Sequence, residues 1–169
     1  MAGKVKLERV PASGLLDWMA IFLATGFGSG YSPIAPGTMG TAVAIPIYLL
    51  LEFHLQLGLF AYIAVVVLIT ALGCVVAQRA GRHFGAADAG QIVIDEIAGF
   101  LIGMTAAPPR WQSLMIGFVL FRLFDIVKPW PARYFDRRVA NGFGVVMDDV
   151  AAGLYMLLVM LLLNYFKLL

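Results

Sequence analysis

The chain has 169 residues, 62% of them hydrophobic and 13% charged, with a mean hydropathy of +0.90. Such a composition excludes an ordinary soluble domain and places most of the chain in lipid. A net charge of +2, from 12 basic and 10 acidic residues, gives no basis for nucleic-acid binding, and a lone cysteine, Cys74, excludes an internal disulfide or a cysteine-zinc centre.

No linker or charge block divides the sequence, so residues 1–169 read as one membrane-embedded domain. Residues 1–14 carry Lys4, Lys6 and Arg9 but no long apolar core ending in a small-residue cleavage site, so no removable signal peptide is expected. Residues 15–27 are apolar apart from Asp17 and Thr25 and stop at a glycine cluster. At about 1.5 Å per residue they are too short to cross a core of about 30 Å, which predicts an interfacial or re-entrant helix.

A Gly/Pro-rich loop leads into a span over 40–57, which contains Pro46, and an uncharged span follows over 57–77. Residues 78–90, with Arg79, Arg82, His83 and Asp88, read as a surface loop. The segment 91–107 opens with Asp95 and Glu96 and runs apolar to Pro108 and Pro109. Its mirror image is 111–128, apolar first, with Arg122, Asp125 and Lys128 at the far end. After a polar connector bearing Arg133, Asp136, Arg137 and Arg138, a last span is expected over 145–166, opening with Asp148 and Asp149. The fold class is therefore all-α: a polytopic helical membrane bundle of about five spans plus a short N-terminal helix.

If these spans alternate, every acidic end falls on one side. Nine basic residues lie there (Lys4, Lys6, Arg9, Arg79, Arg82, Lys128, Arg133, Arg137 and Arg138), against Arg110 and Lys167 opposite. By the positive-inside rule the charged face is cytoplasmic.

Carboxylates inside lipid are expensive and mark functional sites. The stretches Ile94-Asp95-Glu96-Ile97-Ala98-Gly99 and Met147-Asp148-Asp149-Val150-Ala151-Ala152-Gly153 each follow an acidic pair with small residues about one turn on. Small residues let helices approach closely, which would bring the acidic pairs together. Isolated pairs could simply match a helix dipole. Two similar pairs with Asp125 nearby suit Mg²⁺, which takes carboxylate oxygens and bridges to phosphate.

Arg122, Asp125 and Lys128 recur every three residues, and Arg122 lies about 9 Å deeper than Lys128 by helical rise. Its planar fork suits phosphate oxygens; pairing with Asp125 is the alternative. The loop ending Gly37-Thr38-Met39-Gly40 could offer backbone N–H groups and Thr38 to an anion, although it lacks a P-loop pattern. Other phosphatase chemistries lack their residues. Cys74 misses the Cys-x5-Arg spacing to Arg79 by one position, and His54 and His83 are too few and too far apart in sequence.

The segments GFGSGYSPIAPGTMGT, IVIDEIAG, FRLFDIVKPWP and GFGVVMDDVAAG resemble, in order and spacing, the signatures of the bacterial phosphatidylglycerophosphatase A family. The resemblance runs from residue 26 to 153. It implies a Mg²⁺-dependent lipid phosphatase that converts phosphatidylglycerophosphate to phosphatidylglycerol at the cytoplasmic face of the bacterial inner membrane. By the same resemblance Asp95, Glu96, Asp148 and Asp149 are the catalytic group, Thr38, Arg122 and Lys128 bind substrate, and Asp95, Glu96, Asp125 and Asp149 hold metal. Substrate and membrane lipids are the expected partners; no protein partner is implied.

Direct attack by water and an aspartyl-phosphate intermediate both stay open. An ion-coupled transporter would also carry carboxylates in lipid, but usually near the midplane. A CDP-alcohol phosphatidyltransferase would need an Asp-Gly-x2-Ala-Arg motif that is absent.

Overall fold

A computed structural model describes residues 6–169. Seven α-helices follow one another: α1 (Leu15–Ala24), α2 (Pro36–Leu49), α3 (Leu59–Phe84), α4 (Ile94–Gly103), α5 (Trp111–Val127), α6 (Ala132–Arg138) and α7 (Gly142–Tyr165). A 3₁₀ turn at Ser29–Tyr31 precedes α2, and a π turn at Leu50–His54 extends it. Among the described residues there is no strand, only a single bridge from Lys6 to Ala86. The all-α expectation therefore holds.

The span count is smaller by length. Among the described residues three helical segments are long and apolar enough to cross a membrane: Pro36–His54, Leu59–Phe84 and Gly142–Tyr165. With 17 residues α5 falls just short, and α4 has only 10. At about 1.5 Å per residue, α4 reaches about 15 Å, half the hydrocarbon thickness. It can stop there because neighbouring side chains take up the carbonyls that its end leaves free. The Tyr62 hydroxyl donates to Leu101 O at 2.8 Å and Thr105 Oγ1 donates to Ile102 O at 2.8 Å; four residues past the helix, Tyr48 reaches Ala107 O at 3.5 Å.

Helix α4 is the hub. Ile97, Ala98, Phe100 and Leu101 are almost wholly buried, and α2, α3, α5 and α7 all pack around this helix. The outer helices turn apolar side chains such as Phe60, Val67 and Leu68 outward, as a lipid-facing surface requires.

Residues 78–84, expected as loop, instead continue α3, which ends at Gly85 with φ +78°. The N-terminal segment satisfies that helix end: Val10 N donates to Arg82 O at 3.0 Å, Arg9 Nε to His83 O at 3.0 Å, and Ala12 N to His83 Nδ1 at 3.2 Å. Lys6 and Arg9 thus lie at the same end as Arg79 and Arg82; Lys4 is outside the described residues. At the opposite end Arg110 Nη1 donates to Leu169 O at 3.0 Å. The last helix starts three residues earlier than expected because Asn141 caps it, its side-chain oxygen accepting from Gly144 N at 2.9 Å.

Candidate active site

The crossing of α4 and α7 brings the acidic pairs together. A Cβ at Gly99 would stand 2.5 Å from the Asp149 carbonyl oxygen, and one at Gly153 would overlap the Gly99 carbonyl oxygen. Only glycine permits this approach, and it occurs one turn from each acidic pair. In consequence one carboxylate oxygen from each of Asp95, Glu96 and Asp149 lies within 4.8 Å of the others. Asp95, Asp148 and Asp149 are only 8%, 6% and 3% exposed.

These residues line a cavity of about 760 Å³ at the end of the bundle that holds the N-termini of α4 and α7 and the C-terminus of α5. Arg122 and Asp125 enter it from α5, Lys128 from the turn after α5, and Asp136 and Arg137 from α6. Seven lining carboxylates face three cations. Asp88 and Asp136 are exposed, but the like charge gathered among the buried Asp95, Asp148 and Asp149 favours a cation.

The polar atoms divide into three groups. In the first, Asp95 Oδ1 and Glu96 Oε2 are buried without a hydrogen-bond partner, which with Asp149 makes an oxygen donor set fit for a divalent metal. In the second, Arg122 Nη1 lies 2.6 Å from Asp125 and 3.8 Å from Glu96, while Arg122 Nε has no hydrogen-bond partner. An aligned guanidinium with an unmet N–H fits an anion. In the third, Lys128 Nζ donates to Asp148 and lies 2.9 Å from Asp136. Burial works against the charge on Lys128, but Asp148 and Asp136 outweigh it and raise its pKa, so the ammonium persists. Lys128 adopts φ +47°, a left-handed helix end where glycine is usual. Asp148 is further tied by accepting from Asp149 N at 3.0 Å.

All expected site residues except Thr38 line the cavity. Thr38 is half-buried outside the lining, and Gly37 beside it takes the place: a Cβ there would overlap Glu96 Oε1 and lie 3.1 Å from Arg122 Nη1. Asp125, expected as a metal ligand, stands outside the three-carboxylate cluster because Arg122 engages it. Asp136 was not among the expected site residues. Its position eight residues after Lys128 gives no periodic signal, since the intervening Pro129 and Pro131 reset the chain direction.

Comparison with known proteins identifies the family to which the chain belongs. The chain is 46% identical over 132 residues to phosphatidylglycerophosphatase A of Escherichia coli, covering 78% of this chain and 75% of that protein. It is 42% identical over 147 residues to phosphatidylglycerophosphatase A of Haemophilus influenzae, covering 86% and 89%. It is also 41% identical over 144 residues, covering 82% and 89%, to a Bacteroides thetaiotaomicron protein provisionally named a phosphatidylinositol-3-phosphatase. No solved structure matches. The family profile described as phosphatidylglycerophosphatase A matches residues 22–164, a stretch that holds every carboxylate and cation of the cavity, and the chain accordingly belongs to the phosphatidylglycerophosphatase A family.

Proposed function

We propose that this protein hydrolyses the terminal phosphomonoester of phosphatidylglycerophosphate, releasing phosphate and phosphatidylglycerol, with Mg²⁺ held by Asp95, Glu96 and Asp149. The observation that carries the reading is the cluster of three carboxylate oxygens within 4.8 Å, two of its residues having buried and unmet acceptors, beside the unmet N–H of Arg122. Two relatives bear the name of this activity, and the third is named for another lipid phosphomonoester. When bound, the metal supplies a Lewis acid that lowers the pKa of water and offsets phosphate charge.

The protein's own groups then have distinct tasks. Arg122, aligned by Asp125, takes phosphoryl oxygens through its planar fork. Lys128, held between Asp148 and Asp136, offers a second fixed positive charge that stabilises the negative charge developing on the leaving oxygen. Gly37 leaves room for phosphate between Glu96 and Arg122, at the start of α2, where Ala35 and Pro36 also line the cavity; Thr38, outside that lining, takes no direct part. With seven carboxylates facing three cations, a phosphate dianion is repelled until a divalent ion binds, so metal and substrate bind in a coupled manner.

We read α4 and α5 as the return path that completes five passes, since the residues that follow α4 meet the far part of α2 through Tyr48 and Arg110 reaches the end of the chain after α7. The excess of basic residues at the cavity end supports a cytoplasmic orientation in the bacterial inner membrane. A transporter finds no comparable support, as the carboxylates gather at one end.

The test is phosphate release from detergent-dispersed phosphatidylglycerophosphate. Turnover with Mg²⁺ that stops with EDTA and returns on adding excess Mg²⁺ is expected. Turnover indifferent to EDTA would remove the metal from the proposal, and no turnover would remove the activity.

A further inference from the structure

The structure assigns, we infer, a second anion subsite to the outer side of α6, where it receives the internal phosphodiester of a lipid whose terminal phosphomonoester enters the main cavity. Arg137 lines both that cavity and an adjoining surface hollow of about 540 Å³, whose wall also includes Trp130, Arg133, Tyr134 and Arg138. All three arginines are exposed, and among the described residues none pairs with a carboxylate.

Their helix is nonetheless fixed in place. Ala132 is buried, Asp136 holds Lys128 at 2.9 Å, Phe135 meets Phe143 with ring centroids 6.2 Å apart, and Tyr155 donates to Trp130 O at 2.6 Å. Three unneutralised guanidiniums within two helical turns repel one another, and an anion seated among them relieves that repulsion. The aromatic rings of Trp130 and Tyr134, 77% and 54% exposed, suit the headgroup level of a bilayer.

Bulk anionic lipid would be attracted to such a patch as well. What favours one bound substrate is that Arg137 faces both hollows, so an anion on the outer side and a phosphate on the inner side are neighbours. The lipid proposed above carries two phosphates a glycerol apart, and the inference rests on that substrate.

The test uses the full chain in detergent and two monomeric short-chain substrates. Dioctanoyl phosphatidylglycerophosphate carries both phosphates; 1-O-octylglycerol 3-phosphate carries only the monoester. For Arg137→Ala the ratio of kcat/KM between the first and second substrates should fall about tenfold, the size of one lost hydrogen bond to a charged group, through KM rather than kcat. Arg133→Ala and Arg138→Ala should shift the ratio in the same direction, and Arg79→Ala, at the exposed Asp17 pair, should leave it unchanged. Equal losses on both substrates would overturn the subsite, as would a loss seen only on vesicles rich in anionic lipid. If the wild type turns over the two-phosphate lipid and the ratio stands in every variant, the subsite alone falls. Were the wild type to turn over neither substrate, the proposed activity would fall with it.

Discussion

Asp149→Asn should lower phosphate release from phosphatidylglycerophosphate by more than about a hundredfold, since even partners that only orient a metal ligand are worth about 10- to 100-fold. Asp149 is 3% exposed and is the only member of the three-carboxylate cluster supplied by α7, so its loss leaves a two-residue site on a single helix turn. The neutral amide also removes a buried negative charge from a cavity with an excess of them, so insertion and thermal stability should hold or improve. Asp95→Asn should behave in the same way. Turnover near the wild-type rate at saturating Mg²⁺ would return the residue to a helix-dipole role.

Gly153→Ala should be nearly as damaging to activity, although it adds only a methyl group and lies outside the lining of the site cavity. Its Cβ would overlap the carbonyl oxygen of Gly99, and the backbone of α4 cannot yield as a flexible side chain would. Overpacking of this kind costs about 1–3 kcal/mol and is relieved by parting the helices. Parting α4 from α7 moves Asp149 away from Asp95 and Glu96, and a displacement of about 1 Å can cost about 10²-fold in rate. A large fall in kcat is expected, with a modest fall in thermal stability. Leu154→Ala, next along the same helix but 49% exposed on its outer face, should change kcat little. Wild-type kcat in Gly153→Ala would mean that the close crossing is not what assembles the site.

The acidic pairs and the small residues beyond them are legible in the sequence because both act through helical spacing. Asp149 to Gly153 is one turn, and Glu96 to Gly99 is nearly one. Sequence spacing does not say that α4 ends after ten residues, since Thr105 and the residues after it are apolar enough to read as its continuation. At that end the Tyr62 hydroxyl takes up the Leu101 carbonyl, a tertiary hydrogen bond that no local pattern announces.

The same reason hides the true end of α3. His83 and Arg82 look like loop residues until a segment some seventy positions earlier satisfies their carbonyls. In the loop before α2 the residue that lines the cavity is the neighbour of the one that the sequence singles out. Thr38 has the functional group, but Gly37 has the position, and a glycine that serves by absence leaves no chemical mark in a sequence. Asp136 escapes because its partner Lys128 is reached only after two prolines have turned the chain.

Manganese binding tests the three-carboxylate cluster without relying on turnover. Mn²⁺ takes the same hard oxygen ligands as Mg²⁺ and is visible by electron paramagnetic resonance. The wild-type protein in detergent should bind Mn²⁺ in competition with Mg²⁺, and Asp149→Asn should weaken that binding by at least about tenfold, whereas Asp17→Asn, at a surface pair with Arg79, should leave it unaltered. Equal Mn²⁺ affinity in the wild type and Asp149→Asn would contradict a metal site built where α4 meets α7.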